Sequence, residues 1–346
     1  MELNRVPLQD APPATGPTSG LAGQGTPAAT AWPRAVGIGI GLAVLIGLLV
    51  TAFAWPPAES APRDIPVAVV GPAQAEEQID AALPDALDFR HAPDVQTARQ
   101  LIQDRDVYGA IVFESSGPPR VLIASAASPV VAQLLQAIAN RFARPDAAAT
   151  AQVEDVVPLP DEDPRGSVFA AAALPTVLGG MLVGILTSFL VAGVWRRIVS
   201  AAVAAIVAGW VVTAVTQPWL GALEGSAWAN AGAIALTIGG ISMALIGLAA
   251  MVGPAGIGLG AAIMFLIGNS PSGVTSAPAM LPTGFGTLGQ LLPAGAGGTL
   301  LRSTSYFDGA AASGPILVLI SWMAAGLLLT ALGRRLRPAS HRALAW

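Results

Sequence analysis

The sequence predicts a polytopic α-helical membrane protein of about six transmembrane helices, with one helix, then an extracytoplasmic α/β domain, then five more helices. Three observations lead there. Between Arg197 and Arg302 a single charged side chain occurs, Glu224. A water-facing surface of that length needs more charge, whereas membrane-spanning helices joined by short loops do not. A second apolar run, Ala35 to Trp55, stands near the N-terminus. Between the two lies a charged segment of roughly a hundred residues, the size of one small domain.

Composition narrows the function classes. Of 346 residues, 53% are hydrophobic and 11% charged, a membrane-protein balance. Cysteine is absent, which excludes disulfides, thiolate nucleophiles and cysteine-held metal. Lysine is absent too, so all 17 basic residues are arginine. A Walker A loop needs its lysine, and Schiff-base chemistry needs one as well. Arginine without lysine, beside abundant Ala, Gly and Pro, fits a GC-rich bacterial genome. The two histidines, His91 and His341, are too far apart in sequence to suggest a shared metal site. No cofactor and no nucleic-acid partner is expected.

Taken in order, residues 1–34 are rich in Pro, Gly, Ala and Thr with four charges, and read as a disordered cytoplasmic tail. A crossing helix takes about 20 apolar residues. Six segments reach or approach that length: Ala35–Trp55, Val168–Trp195, Ile198–Gln217, Ala229–Val252, Pro254–Gly268 and Gly314–Leu332. The fifth is short and weakened by Gly256, Gly258 and Gly260. Ala52-Phe53-Ala54 has the form of a signal-peptide cleavage site, but the preceding region is too long, so an uncleaved anchor is expected.

Arginine sets the orientation. Arg34, the pair Arg196 and Arg197, and the cluster Arg334, Arg335, Arg337 and Arg342 all fall on one side if both termini are cytoplasmic, as the positive-inside rule requires. Residues 56–167 are then extracytoplasmic, and they carry 17 acidic residues against eight arginines. Residues 168–332 form a five-helix bundle with an external loop at 269–313, and 333–346 form a basic cytoplasmic tail. The expected setting is a bacterial plasma membrane.

The external segment reads as a small α/β layer domain in the order βαβαββα. Ile65–Val70 is a β-branched strand stopped by Gly71-Pro72, and Ala75–Leu83 is a helix. Leu87–His91 is a second strand, and Asp94 caps a helix running to about Arg105. Val107–Phe113 and Arg120–Ala124 form a hairpin around the turn Ser115–Pro119. Ser128-Pro129 opens a helix with Val131, Leu134, Leu135, Ile138 and Phe142 at helical spacing. The stretch Pro145–Gly166 reads as a linker. The many carboxylates form a solvated acidic face without catalytic spacing.

Small residues four apart, Gly37/Gly41, Gly180/Gly184 and Gly256/Gly260, permit close helix packing, either within the chain or in a homodimer. Gly37-Ile38-Gly39-Ile40-Gly41 lies inside a span with no strand before it, which excludes a dinucleotide loop. No ionisable residue stands at the centre of a span, so a carrier coupled to protons or sodium is not expected. Glu224 sits in a turn flanked by Trp219 and Trp228, residue types that anchor at headgroups. Polar residues in the spans, such as Thr187, Ser188, Thr213, Thr237, Ser242 and Ser321, are expected to hydrogen-bond between helices. The loop 269–313 has two charges, Arg302 and Asp308, positioned to pair. Phe285–Leu292, stopped by Pro293, and Leu300–Phe307 are expected to form short helices at the bilayer surface or re-entering it. A structural lid and a substrate-exit or lipid-contacting site are both open for this loop.

One span, an external α/β domain and a five-span bundle together resemble ABC-2-type permeases of the phage-infection-protein kind (YhgE/Pip-like and DUF3533). The resemblance covers nearly everything after residue 34. Asp106-Val107-Tyr108-Gly109-Ala110-Ile111 is similar to that family's xxYGA strand. Asp163-Pro164-Arg165-Gly166 is similar to its domain-to-membrane junction. The last external loop of actinobacterial members is matched by Leu281-Pro282, by Leu291-Leu292-Pro293-Ala294-Gly295-Ala296 and by Leu301-Arg302-Ser303 to Tyr306-Phe307-Asp308-Gly309. The resemblance implies a membrane subunit of an export system with no ATPase activity of its own, partnered by the bilayer and a separate ABC ATPase. One departure is plain: such permeases dock their ATPase through cytoplasmic elements, whereas here the loop after the second span is little more than Trp195-Arg196-Arg197 and the link after the fourth is Gly253-Pro254. A non-transporting scaffold or receptor, whose external domain binds an envelope or external partner, is therefore the alternative. A membrane enzyme acting on lipid is not expected, since no nucleophile, metal cluster or acid–base pair stands out.

Overall fold

A computed structural model of the chain describes residues 31–113, 119–142, 152–269 and 272–336. The tail over 1–30, the turn at 115–118, the linker over 143–151 and the terminus with Arg337, His341 and Arg342 lie outside the described residues. The chain divides into two compact units, Met1–Gly47 and Leu48–Trp346.

Helix α1, Trp32–Ala58, runs through the boundary between the units over 27 residues. It begins a turn earlier than expected because Pro33 stands at a first-turn position, where its missing N–H is no loss. Its most apolar stretch has a mean hydropathy of 2.5, enough to cross a membrane.

In the second unit the α/β region comes first. Strands β1 (Ile65–Val70), β2 (Leu87–His91), β3 (Gly109–Val112), β4 (Arg120–Ile123) and β5 (Gln152–Asp155) form one sheet in the order β2-β1-β3-β4-β5. The pairings β1–β2, β1–β3 and β4–β5 are parallel, and β3–β4 is the antiparallel hairpin. Parallel neighbours require crossovers. Helices α2 (Ala73–Ala82), α3 (Val95–Gln103) and α4 (Pro129–Phe142) supply them. Strand β5 was not foreseen, because Gln152–Asp155 alternates poorly and reads as linker. It is held by Arg99, whose guanidinium reaches the Glu154 carboxylate at 2.5 Å.

The sheet alternates as a two-faced layer must. Ile65, Val67, Ile111, Val121 and Ile123 face one core with Val131, Leu135 and Ile138 of α4. Ala68, Ala110, Val112 and Leu122 face a second core with Ala98 and Ile102 of α3. Asp94 caps α3, accepting the Thr97 N–H at 2.7 Å, and that bond holds its carboxyl below the usual range. Arg105 stands just past α3 with φ of +63°, a left-handed turn that redirects the chain towards β3.

The remaining helices are α5 (Ser167–Leu190), α6 (Val194–Ala214), α7 (Ala227–Val252), α8 (Pro254–Ala262), α9 (Phe285–Gln290), α10 (Pro293–Tyr306) and α11 (Ser313–Leu336). A π-helical turn, Val215–Trp219, prolongs α6, and another, Ile263–Asn269, follows α8. Among the described residues, five helices are long and apolar enough to cross a membrane: α1, α5, α6 with its extension, α7 and α11. This is the make-up of a polytopic helical membrane protein. The sixth segment, Pro254–Gly268, is apolar but falls in the 10–17-residue range, too short for a full crossing.

Helix α7 is the centre of the bundle. Its apolar stretch is 72% buried, against 28% for α5 and 22% each for α6 and α11. The other helices wrap it through small residues: a Cβ on Gly247 would stand 2.9 Å from the Cα of Gly326 on α11, so only glycine fits at that crossing.

Several expectations change. Trp195, Arg196 and Arg197 lie in the first turn of α6, not in a loop, because Gly193 with φ of +89° ends the preceding segment. The Arg197 guanidinium folds back to the Val191 carbonyl at 3.3 Å. The polar residues of the spans bond within their own helices: Thr187 to Val183, Thr237 to Ala233, Ser242 to Gly239 and Ser321 to Leu317. A hydroxyl three or four residues after a carbonyl satisfies itself locally before it reaches a neighbour. The Ser188 and Thr213 hydroxyls are buried with no hydrogen-bond partner among the described residues.

Candidate functional site

The segment 272–312 is helical over α9 and α10 and turns between, and its parts are packed into the rest of the second unit. Residues Pro278–Met280 form a short 3₁₀ turn. The Ala61 and Arg63 N–H groups donate to the Met280 and Ala279 carbonyls at 3.1 and 3.2 Å. Ala277 and Met280 join the core on one side of the sheet, while Phe307 joins the core on the other. Pro293 does stop the preceding helix, but it also occupies the first turn of α10, which therefore starts seven residues before Leu300.

Helix α10 lies against α7. Ala296 and Leu300 share a cluster with Ala233 of α7 and Leu319 of α11. Its far end is tied by polar groups: Ser305 Oγ donates to Asn230 Oδ1 at 3.0 Å, and Asn230 Nδ2 donates to the Glu224 carbonyl at 2.7 Å. The Tyr306 hydroxyl donates to the Ala222 carbonyl at 2.5 Å. Burial pushes the Tyr306 hydroxyl well above the usual phenol range. Trp219 and Trp228 are exposed beside this turn, as the sequence suggested for anchors.

At the seam between the α/β region and the bundle two arginines meet. Arg105 donates to the Thr299 carbonyl at 3.1 Å and to Ser303 Oγ, and its guanidinium lies 5.1 Å from the Phe307 ring centre. Arg302 is 6% exposed. Its Nη2 donates to the Val274 carbonyl at 2.9 Å, and its guanidinium lies 4.7 Å from the Phe169 ring centre. The expected pair with Asp308 does not form: Asp308 is exposed at a left-handed turn with φ of +49°, whereas Arg302 points into the seam. The ion pairs among the described residues, Arg99–Glu154 and Arg90–Asp88, involve neither seam arginine. Burial and the nearby Arg302 charge push Arg105 down to about 10, and burial lowers Arg302. Both remain cations at neutral pH.

Next to Arg302 the first turn of α5 opens. Asp163 is buried, and its carboxylate accepts from the Ser167, Val168 and Phe169 N–H groups at 2.8, 2.9 and 3.2 Å. The Ser167 hydroxyl adds a fourth bond at 2.9 Å. This is an anion seated on a helix N-terminus, where free N–H groups need acceptors. Gly166, with φ of +65°, makes the turn that lets Asp163 reach back, and Pro164 and Arg165 are exposed on it.

A cavity of about 220 Å³ lies here, lined by Arg165, Ser167, Phe169, Thr275, Arg302 and Tyr306 among others. It shares Val130, Ala170, Val274 and Thr275 with a second cavity of about 370 Å³. That second space is walled by Phe53, Pro56, Pro57, Ala173, Leu174 and Leu281. A third space, about 30 Å³, lies deeper between α5, α6, α7 and α10 and is almost entirely apolar. Comparison with family models, with curated proteins and with solved structures finds no match.

The structure thus gathers part of what the sequence singled out. Arg302 and Tyr306 share the first cavity with Arg165 and Gly166 of the junction, Asp163 braces that junction, and Leu281 walls the second cavity. Phe307 is the aromatic face under Arg105. Leu292 and Pro293 start α10, and Gly295 lets α10 approach the backbone of Gly289. Gly309 closes α10 by donating to the Ser303 carbonyl at 2.9 Å, and Pro282 accepts the Phe285 N–H at 2.8 Å below α9. A Cβ on Gly180 or Gly184 would stand 3.0 or 2.9 Å from Ile241 or Leu245 of α7, and one on Gly260 would stand 2.9 Å from Leu248. Gly256 meets the backbone of Leu248, and Gly37 and Gly41 belong to the first unit on α1. Sequence reading missed Arg105, Phe169 and Asn230. An arginine just after a helix and an asparagine opening an apolar span carried the only available signals. No group of three metal-ligating side chains occurs among the described residues.

Proposed function

We propose that this membrane protein is the permease-like subunit of an ABC-2-type export system, driven by a separate ATPase. The observation that carries the reading is the seam. Segment 272–312 is bonded to the α/β region through Met280 and Arg105, and α10 packs on the central helix α7. A domain bonded and packed onto the bundle in this way supports mechanical coupling between the two, which a tethered module would lack. The chain has no lysine for a nucleotide loop, so the energy source is external. The spans α5, α6, α7 and α11 carry no ionisable residue near their middles, which favours a partner ATPase over ion coupling.

A second reading, a scaffold or receptor, is favoured by the links α5–α6 and α7–α8. The first spans Val191–Gly193 and the second is Gly253 alone, leaving little backbone on which an ATPase docks. Purification of the full chain from its host in mild detergent, followed by mass spectrometry, separates the two. Stoichiometric recovery of an ABC ATPase whose hydrolysis depends on this subunit is the expected result. Recovery of envelope proteins alone after crosslinking overturns the permease reading.

A further inference from the structure

The two linked cavities beside Arg302 have a chemistry that neither reading above uses. The first is lined by the cations Arg165 and Arg302, and the second by apolar side chains interspersed with Ser60, Ser272 and Ser276. Arg302 is almost wholly buried, yet its one hydrogen-bond acceptor among the described residues is the Val274 carbonyl. A guanidinium carries five donors, and a buried cation without an anion is costly. Arg105 adds a second positive charge at the same seam, close enough for the Arg302 charge to act on it. The Asp163 carboxylate at the adjoining junction is already saturated by the four donors that begin α5. Arg165 and Ser167 stand exposed at the mouth of the first cavity, with Arg302 at its depth.

The α5 side chains that line the two cavities pass from polar to apolar along the helix. Arg165 and Ser167 precede or open the helix, Phe169 and Ala170 lie in its first turn, and Ala173 and Leu174 lie one turn further. Helix α5 is long and apolar enough to span. Its first turn therefore falls at headgroup level, and Leu174 lies where acyl chains begin. This holds whichever way the chain is oriented. The total space, about 220 and 370 Å³, admits a phosphate-bearing headgroup and the upper part of one or two chains.

We propose that this paired cavity binds a membrane phospholipid with an anionic headgroup, held by Arg302 and Arg165, with its acyl chains against Leu174, Phe53 and Leu281. The guanidiniums recognise the phosphate as paired donors, and Ser167 and Thr275 supply hydroxyls beside it. The proposal stands whether the protein exports or only anchors.

The test uses the full chain purified into phosphatidylcholine nanodiscs. Phosphatidylglycerol is titrated in one arm and inorganic phosphate in the other, with thermal stabilisation and native mass spectrometry as readouts. The expected result is saturable stabilisation and retention of phosphatidylglycerol, with no comparable response to phosphate up to millimolar concentrations. Arg165→Gln, an exposed position, is expected to weaken retention about tenfold while the protein stays folded. Arg302→Gln is expected to abolish it. Leu174→Trp, which fills the second cavity, is expected to weaken the lipid response as well. Equal retention of phosphatidylcholine, or retention indifferent to Arg165→Gln and Leu174→Trp, overturns the proposal. So does stabilisation by phosphate that matches the lipid. Loss of ATPase recovery in the experiment above leaves this test untouched.

Discussion

At the residue scale the junction before α5 shows how much four positions settle. Asp163 needs Gly166 to fold back, and α5 needs Asp163 because its first N–H groups have no other acceptor. The motif Asp163-Pro164-Arg165-Gly166 was legible in the sequence only through its similarity to a family's domain-to-membrane junction. Its partners were not visible. Asp163→Ala is expected to lower stability by about 1–3 kcal/mol, since it strands buried N–H donors. Thermal unfolding in detergent would show it, and unchanged melting would mean that water replaces the carboxylate. Arg302 is the contrary case. The sequence offered Asp308 as its nearest opposite charge, but a six-residue separation at a helix end does not bring two side chains together. The turn after Tyr306 sends Asp308 outward.

At the element scale the apolar spans were legible because length and hydropathy decide them. Their packing order was not. Nothing in composition distinguishes α7 from α5 or α11, yet α7 is the helix the others surround. The distinguishing signal is the distribution of small residues around its circumference, which one sequence cannot assign to partners. Gly326→Leu should therefore wedge α11 from α7, because a Cβ there already meets the Ala244 N–H nitrogen at 2.9 Å. A fall in monodisperse yield and a melting point lower by several degrees is expected. Gly179→Ala, where a Cβ meets nothing within 4 Å, should leave both unchanged. Strand β5 shows the converse limit. A short polar edge strand has no hydrophobic period, and it exists because β4 offers an open edge to Gln152–Asp155.

At the scale of the whole second unit, the sequence separated an α/β segment from a helical bundle where the structure joins them. The joint uses Arg105, Arg63 and Met280, residues that carry no pattern on their own. Arg105→Ala removes two hydrogen bonds to α10 and the stacking on Phe307, and also relieves repulsion with Arg302. Bonds from a charged donor are each worth about 1.5–3 kcal/mol, which outweighs that relief. Hydrogen exchange of α10 amides is expected to speed up by at least tenfold, and Arg105→Lys should restore it only in part because a lone ammonium cannot reproduce the fork. Exchange rates identical to the unaltered protein would show that apolar packing alone holds the seam.

The clamp of residues 277–307 over both faces of the sheet also sets an order of events during synthesis. Ser60 finds its acceptor at Met280, 220 positions downstream. When the ribosome has finished β5, the sheet still lacks Ala277 and Met280 on one side and Phe307 on the other. The nascent region must wait, with apolar patches uncovered, through the insertion of three long helices. Residues 277–307 thus act as a latch on the α/β layer, which matures only once α5, α6 and α7 have been made.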